Sequence, residues 1–101
     1  MTFKELTEQN INKALQHGTI FKHSDTCGIS MSRKEALEEW LTQHDKTIYI
    51  VEVKSQRGLS NKLEQETGVK HESPQLLIQR DGETVLHRSH GAIKPSILEQ
   101  A

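Results

Sequence analysis

Residues 47–53, Thr-Ile-Tyr-Ile-Val-Glu-Val, constrain the fold more than any other segment of the chain. They are β-branched and almost continuously apolar, the pattern of a strand buried on both faces of a parallel sheet. Read as the central strand, this segment requires helices on both sides and a crossover to a parallel neighbour. The preceding sequence supplies them. Residues 19–23 (Thr-Ile-Phe-Lys-His) read as a short strand, and a helix over 28–43 carries Ile29, Ala36, Leu37, Trp40 and Leu41 on one stripe. Further on, 75–80 and 84–89 bracket Asp81-Gly82, the dipeptide of a tight antiparallel hairpin.

Three more helices complete the pattern. Residues 1–17 place Phe3, Leu6, Ile11, Ala14 and Leu15 at helical spacing, with Thr2 and Glu5 positioned as a capping box and Gly18 as the stop. A helix over 60–67 has Ser60 as N-cap, Leu59 and Leu63 one turn apart, and Gly68 as its C-terminal stop. The last, over 94–101, has Pro95 near its first turn and Ile97 and Leu98 facing inward. One parallel strand–helix–strand unit plus a hairpin predicts an α/β fold with a four-stranded mixed sheet flanked by helices, a thioredoxin-like arrangement. The 101 residues suffice for a single domain, 1–101.

Charge and cysteine usage narrow the function. Thirteen basic against fourteen acidic residues leave a net charge of −1, with no basic stripe for a phosphate backbone. Phe3, Phe21, Trp40 and Tyr49 are too scattered to stack bases, so no nucleic-acid partner is expected. The longest aliphatic or aromatic run, Ile48–Val51, falls far short of the ~20 residues that span a bilayer, and Met1–Glu5 lacks a signal-peptide layout. No membrane association is expected. A single cysteine, Cys27, forbids an intrachain disulfide and multi-thiolate metal sites, which places the chain in the cytoplasm, where a free thiol stays reduced. The histidines do not suggest a metal site either: His87 and His90, three apart on a strand, point to opposite faces, and His17 and His44 end helices.

Cys27 follows a strand and sits at or just before a helix start, where free N–H groups and the positive dipole end favour a thiolate. Ser32 and Glu35 form a competing capping box that would leave Cys27 in a loop. Its neighbours Ser24, Asp25, Thr26, Gly28 and Ser30 are not those of a core residue, and Lys22 and His23 add positive character that Asp25 opposes. Cys27-Gly28-Ile29-Ser30 is similar to the Cys-X-X-Cys of thioredoxin-type oxidoreductases with Ser30 in the resolving position. One sulfur can exchange but cannot close an internal disulfide, so a second thiol must come from outside the chain. Ser30 either donates a hydrogen bond to the thiolate or simply starts the helix. Phe21, six positions before Cys27, occupies the place where many dithiol thioredoxins carry a buried acid.

Longer strings carry a more specific resemblance. Phe21-Lys22-His23-Ser24, Thr26-Cys27-Gly28-Ile29-Ser30, Leu59-Ser60-Asn61, Gly68-Val69-Lys70-His71-Glu72-Ser73-Pro74-Gln75, Asp81-Gly82-Glu83 and His87-Arg88-Ser89-His90 together resemble the monothiol bacilliredoxin family, also called the bacillithiol system redox-active protein YtxJ. Gly28 stands where many members carry proline, and Gly91 where a bulky residue is expected. The resemblance implies a cytoplasmic thiol-disulfide oxidoreductase that takes bacillithiol from S-bacillithiolated proteins onto Cys27, with a second bacillithiol as co-substrate and no other cofactor. Ser30 is the second catalytic candidate. Thr26, Gly28, His71, Ser73 and Pro74 are the substrate-binding candidates, with a cis Ser73–Pro74 bond facing the cysteine. Two rivals remain: an iron–sulfur cluster carrier similar to the Cys-Gly-Phe-Ser monothiol glutaredoxins, and a non-catalytic thioredoxin-like redox sensor.

Overall fold

In chain order the elements are β1 (Thr2–Glu5), α1 (Ile11–Gln16), β2 (Gly18–His23), α2 (Gly28–Leu41), β3 (Thr47–Glu52), α3 (Arg57–Thr67), β4 (Gln75–Arg80) and β5 (Glu83–Ser89). Two 3₁₀ segments follow, His90–Ala92 and Pro95–Gln100. The structure, a computed structural model, describes residues 2–101. The sheet has five strands in the order β1-β3-β2-β4-β5, parallel between β1, β3 and β2 and antiparallel from β2 through β4 to β5.

The fifth strand corrects the expected four. Residues 2–5 extend along the outer edge of β3 instead of starting a helix, with Thr2 N–H donating to Lys46 O (3.2 Å) and Leu6 N–H to Ile50 O (2.8 Å). An unpaired edge of β3 would leave a row of backbone groups without partners. Phe3 and Leu6 therefore serve opposite faces: Phe3 packs towards Phe21, with ring centroids 6.1 Å apart, while Leu6 enters the other core. Thr2 and Glu5 form no capping box. The reciprocal pair is Thr7 and Asn10, each backbone N–H donating to the other's side-chain oxygen (2.8 and 3.2 Å), and it leads into the short α1. Met1, the first residue of the expected helix, lies outside the described residues.

The added strand also moves the centre of the sheet. β2, not the 47–53 segment, is the middle strand, and five of its six residues are buried. Its alternation feeds two cores. Ile20 joins Leu6, Ile11, Ala14, Val51, Leu59, Leu63 and Leu77 beneath α1 and α3, whereas Phe21 joins Leu37, Leu41, Ile48, Leu76, Ile93 and Leu98 beneath α2 and the C-terminal segments.

Smaller departures have local causes. α3 begins at Arg57, so Ser60 is already inside the helix and buried rather than its N-cap, which is Gln56. Gly58 reads as a breaker, but its cost of about 1 kcal/mol is small against the burial of Leu59 and Leu63. In α2 the inward positions are Ser30, Leu37 and Leu41, and Ile29, expected inside, is 51% exposed. The C-terminal helix is a 3₁₀ segment, and His90 lies beyond β5, at φ +54°, instead of on it. The punctuation is as expected. Asp81 and Gly82, at φ +53° and +80°, make the hairpin turn, and Gly68 closes α3 in the left-handed region at φ +72°.

Candidate active site

Cys27 is the N-cap of α2, in extended backbone (φ −108°, ψ 120°), so the competing start at Ser32 is not used. The Cys27 carbonyl accepts the Met31 N–H (3.0 Å), and its own N–H closes a turn on Ser24 O (3.2 Å). The free N–H groups of the first helical turn and the positive end of the helix dipole therefore lie at the cysteine, which is half-buried.

Ser30, one turn on, is fully buried and engaged twice. Its Oγ accepts the Ser24 N–H at 2.9 Å and lies 2.7 Å from Nδ1 of buried His23. His23 Nε2 in turn lies 2.8 Å from Asp25 Oδ1. A neutral imidazole satisfies every partner if Nε2–H donates to the carboxylate and Nδ1 accepts from the Ser30 hydroxyl. The Ser30 hydrogen is then committed to His23. Among the described residues no side chain hydrogen-bonds the Cys27 sulfur, so Ser30 ties the loop 23–30 together. Phe21 stacks beneath His23, with ring centroids 5.6 Å apart.

Above this lock Cys27 opens onto a cleft of about 630 Å³. The loop after β2 contributes Ser24, Thr26 and Cys27; the loop after β3 and the start of α3 contribute Lys54, Arg57, Ser60 and Asn61; the segment before β4 contributes His71 and Ser73. Glu52 fastens two of these walls. Its carboxylate accepts the N–H groups of Asp25 (2.8 Å), Lys54 (2.7 Å) and Ser55 (2.9 Å). Those bonds, the one from Asp25 first, hold the Glu52 carboxyl below its usual range. Lys54 Nζ reaches Thr26 Oγ1 across the loops (2.5 Å).

The cleft thus brings together Cys27, Thr26, His71 and Ser73. Gly28 is exposed at the helix start, where an added Cβ would meet nothing within 4 Å, and Pro74 is buried behind Ser73, its carbonyl accepting the His90 N–H (3.0 Å). The Ser73–Pro74 bond is cis, as expected. His71 donates its backbone N–H to Glu64 Oε2 (2.8 Å), and its Nδ1 stands 3.4 Å from Ser60 Oγ. Desolvation, and then the charge of Lys22, push its imidazole pKa down.

Residues 1–98 match the family described as monothiol bacilliredoxin BrxC. The chain belongs to the monothiol bacilliredoxin family. A solved structure described by a thioredoxin fold and a provisional oxidoreductase assignment superposes with a TM-score of 0.87, at 32% identity over 97% of this chain and 91% of that one. Thioredoxin O2 from Arabidopsis thaliana (TM-score 0.73, 20% identity, 97% and 92% covered) and thioredoxin from Trypanosoma brucei brucei (0.74, 13%, 97% and 85%) share the fold. This bacilliredoxin accordingly has a thioredoxin fold and a thiol redox function.

Sequence reasoning misses the β3–α3 side of this bacilliredoxin's cleft: Lys54 and Arg57, which line it, and Glu52, which fastens its loops. A signal exists. Ligands of open α/β sheets bind beyond the carboxyl ends of parallel strands, and residues 53–57 follow β3 beside the Cys27 loop that follows β2. No helix among the described residues is long and apolar enough to cross a membrane.

Proposed function

We propose that this protein is a cytoplasmic thiol-disulfide oxidoreductase that removes bacillithiol from S-bacillithiolated protein cysteines. The Cys27 thiolate attacks the bacillithiol sulfur of the mixed disulfide. The S–S bond to the protein substrate breaks, that cysteine leaves as a thiolate with the bonding electrons, and bacillithiol is joined to Cys27. A second bacillithiol thiolate then attacks this new disulfide, freeing Cys27 and leaving as oxidised bacillithiol. The carrying observation is Cys27 at the α2 N-cap on an open cleft, with the resolving position filled by a buried, doubly hydrogen-bonded serine. Thr26, Gly28, His71, Ser73 and Pro74 surround the incoming disulfide in this reading.

Mass spectrometry of reduced protein mixed with a bacillithiolated substrate tests it. The bacillithiol mass should move to Cys27 as the substrate thiol is released, and Cys27→Ser should abolish release. Unchanged release by the serine variant would refute the assignment.

A further inference from the structure

The third residue of a helix stands on the same side as its N-cap, so the Ser30 hydroxyl is the donor that sequence spacing offers to the Cys27 sulfur. The structure turns that hydrogen elsewhere. Ser30 is fully buried, its Oγ accepts the Ser24 N–H at 2.9 Å, and its other partner is Nδ1 of His23 at 2.7 Å. Whether Ser30 gives or receives a hydrogen there is decided at the far side of the imidazole. Asp25 Oδ1 lies 2.8 Å from His23 Nε2, and a carboxylate only accepts, so the ring proton sits on Nε2 and Nδ1 presents its lone pair to Ser30.

Each part of this chain of groups is held. His23 is buried and stacks on Phe21, which fixes the plane of its ring. The Asp25 carboxylate is exposed, but the residue's backbone N–H is fastened to Glu52 Oε2 at 2.8 Å. An acid that exposed adds little to stability as a charge. What it fixes is which imidazole nitrogen carries the proton, and through that nitrogen the direction of the buried Ser30 hydroxyl.

We propose that Asp25 and His23 are positioning residues that withhold the Ser30 hydroxyl from Cys27, keeping its thiolate free of a side-chain hydrogen bond. The consequence for turnover rests on the thiol-exchange reading. A thiolate without such a bond is the more basic and the stronger nucleophile, whereas a hydrogen-bonded one is the better leaving group. In the attacking step the Cys27 thiolate forms the new S–S bond and the substrate cysteine departs with the bonding pair. In the release step an incoming small thiolate attacks the sulfur joined to Cys27, and Cys27 departs with the pair. The lock therefore speeds attack and slows release.

The test frees the hydroxyl and reads the sulfur. His23→Leu puts an apolar side chain at a buried site and removes the acceptor, and the pH midpoint of Cys27 alkylation by iodoacetamide is measured in wild type, Ser30→Ala, His23→Leu and the double variant. His23→Leu should lower the midpoint by about one unit, the effect of one hydrogen bond to a charged sulfur, and the double variant should restore it. Ser30→Ala alone should not raise it. The other titratable groups near the thiol, Asp25 on its own loop, Glu52, Lys54 and Arg57 on the β3–α3 side and His71 before β4, are shared by the variants with and without Ser30 and cancel between them. Per thiolate, His23→Leu should attack 2-hydroxyethyl disulfide about threefold more slowly. Nitrogen-15 spectra of the wild-type protein at neutral pH should show the His23 proton on Nε2 alone. A midpoint raised by Ser30→Ala, a His23→Leu midpoint equal to wild type or still low without Ser30, or a proton on His23 Nδ1 would overturn the lock and leave thiol exchange standing. Bacillithiol release that persists in Cys27→Ser would overturn thiol exchange, with the lock still decided by alkylation and by the spectra.

Discussion

Replacing Lys22 by methionine should make the protein more stable. Burial pushes the Lys22 ammonium from its ordinary 10.5 down to about 8, against a smaller opposing pull from Glu64. At ~1.36 kcal/mol for each tenfold change in proton affinity, that difference corresponds to about 3 kcal/mol of folding free energy lost while the side chain is charged. Relaxation of the surroundings about the buried charge makes this an upper limit, so a gain of about 1–2 kcal/mol is expected at pH 7. Methionine keeps the unbranched stem and fills the same volume without the charge. Between pH 8 and 10.5 the unfolded chain holds the Lys22 proton and the folded chain has released it, so wild-type stability rises with pH across this window. Below it the penalty is constant. Urea unfolding of both proteins from pH 7 to 10.5 should therefore show a stability gap that is full at pH 7 and closes towards pH 10.5. A less stable Lys22→Met protein at pH 7, or a gap independent of pH, would refute the reasoning.

Three further outcomes follow from the same site. Ser30→Ala leaves His23 Nδ1 and the Ser24 N–H buried without partners and should cost about 2 kcal/mol in chemical denaturation. Gly28→Pro should raise the thermal midpoint by a gain of about 0.5–1 kcal/mol, because residue 28 is the first helical position and Cys27, at ψ 120°, already has the conformation that precedes proline. Because the folded-state pKa of Glu52 is held below 4.5, its contribution to stability is present above that value and lost as pH falls through the lower one. Glu52→Gln should therefore be less stable at neutral pH and show a shallower loss on acidification, read by denaturation between pH 7 and 3.

What is legible in the sequence is carried by local signals. The β-branched run of β3, the Asp81-Gly82 turn, the Gly68 stop and the cysteine at a helix start each depend on residues a few positions apart. β1 does not, because its hydrogen-bonding partner is 45 positions away and Phe3 and Leu6 happen to stand at helical spacing. The inner face of α2 is misleading at Ile29, where apolarity points inward but the helix start at Cys27 turns Ser30 inward instead. Half of the cleft is hidden because Lys54 and Arg57 acquire meaning only when the β3–α3 loop lies beside the Cys27 loop. Burial of Lys22 has no local signal, since a lysine in a short strand ordinarily marks a solvent face.

Lys22 and His23 show how one strand serves both sides of a reactive thiol. As consecutive residues of β2 they project to opposite faces of the sheet. His23 goes to the α2 face, where Ser30 and Asp25 hold it and the start of the helix beneath Cys27 is tied in place. Lys22 goes to the α3 face with Ile20, and its charge helps to push the His71 imidazole pKa down. A slip of one residue in the pairing of β2 with β3 would exchange them, burying a cation under α2 and leaving the helix start untied. The resolving position is thereby closed by hydrogen bonds on one face, while on the other Cys27 opens onto the cleft. The second sulfur that the proposed turnover requires therefore comes from outside the chain, by way of the cleft that Cys27 opens onto.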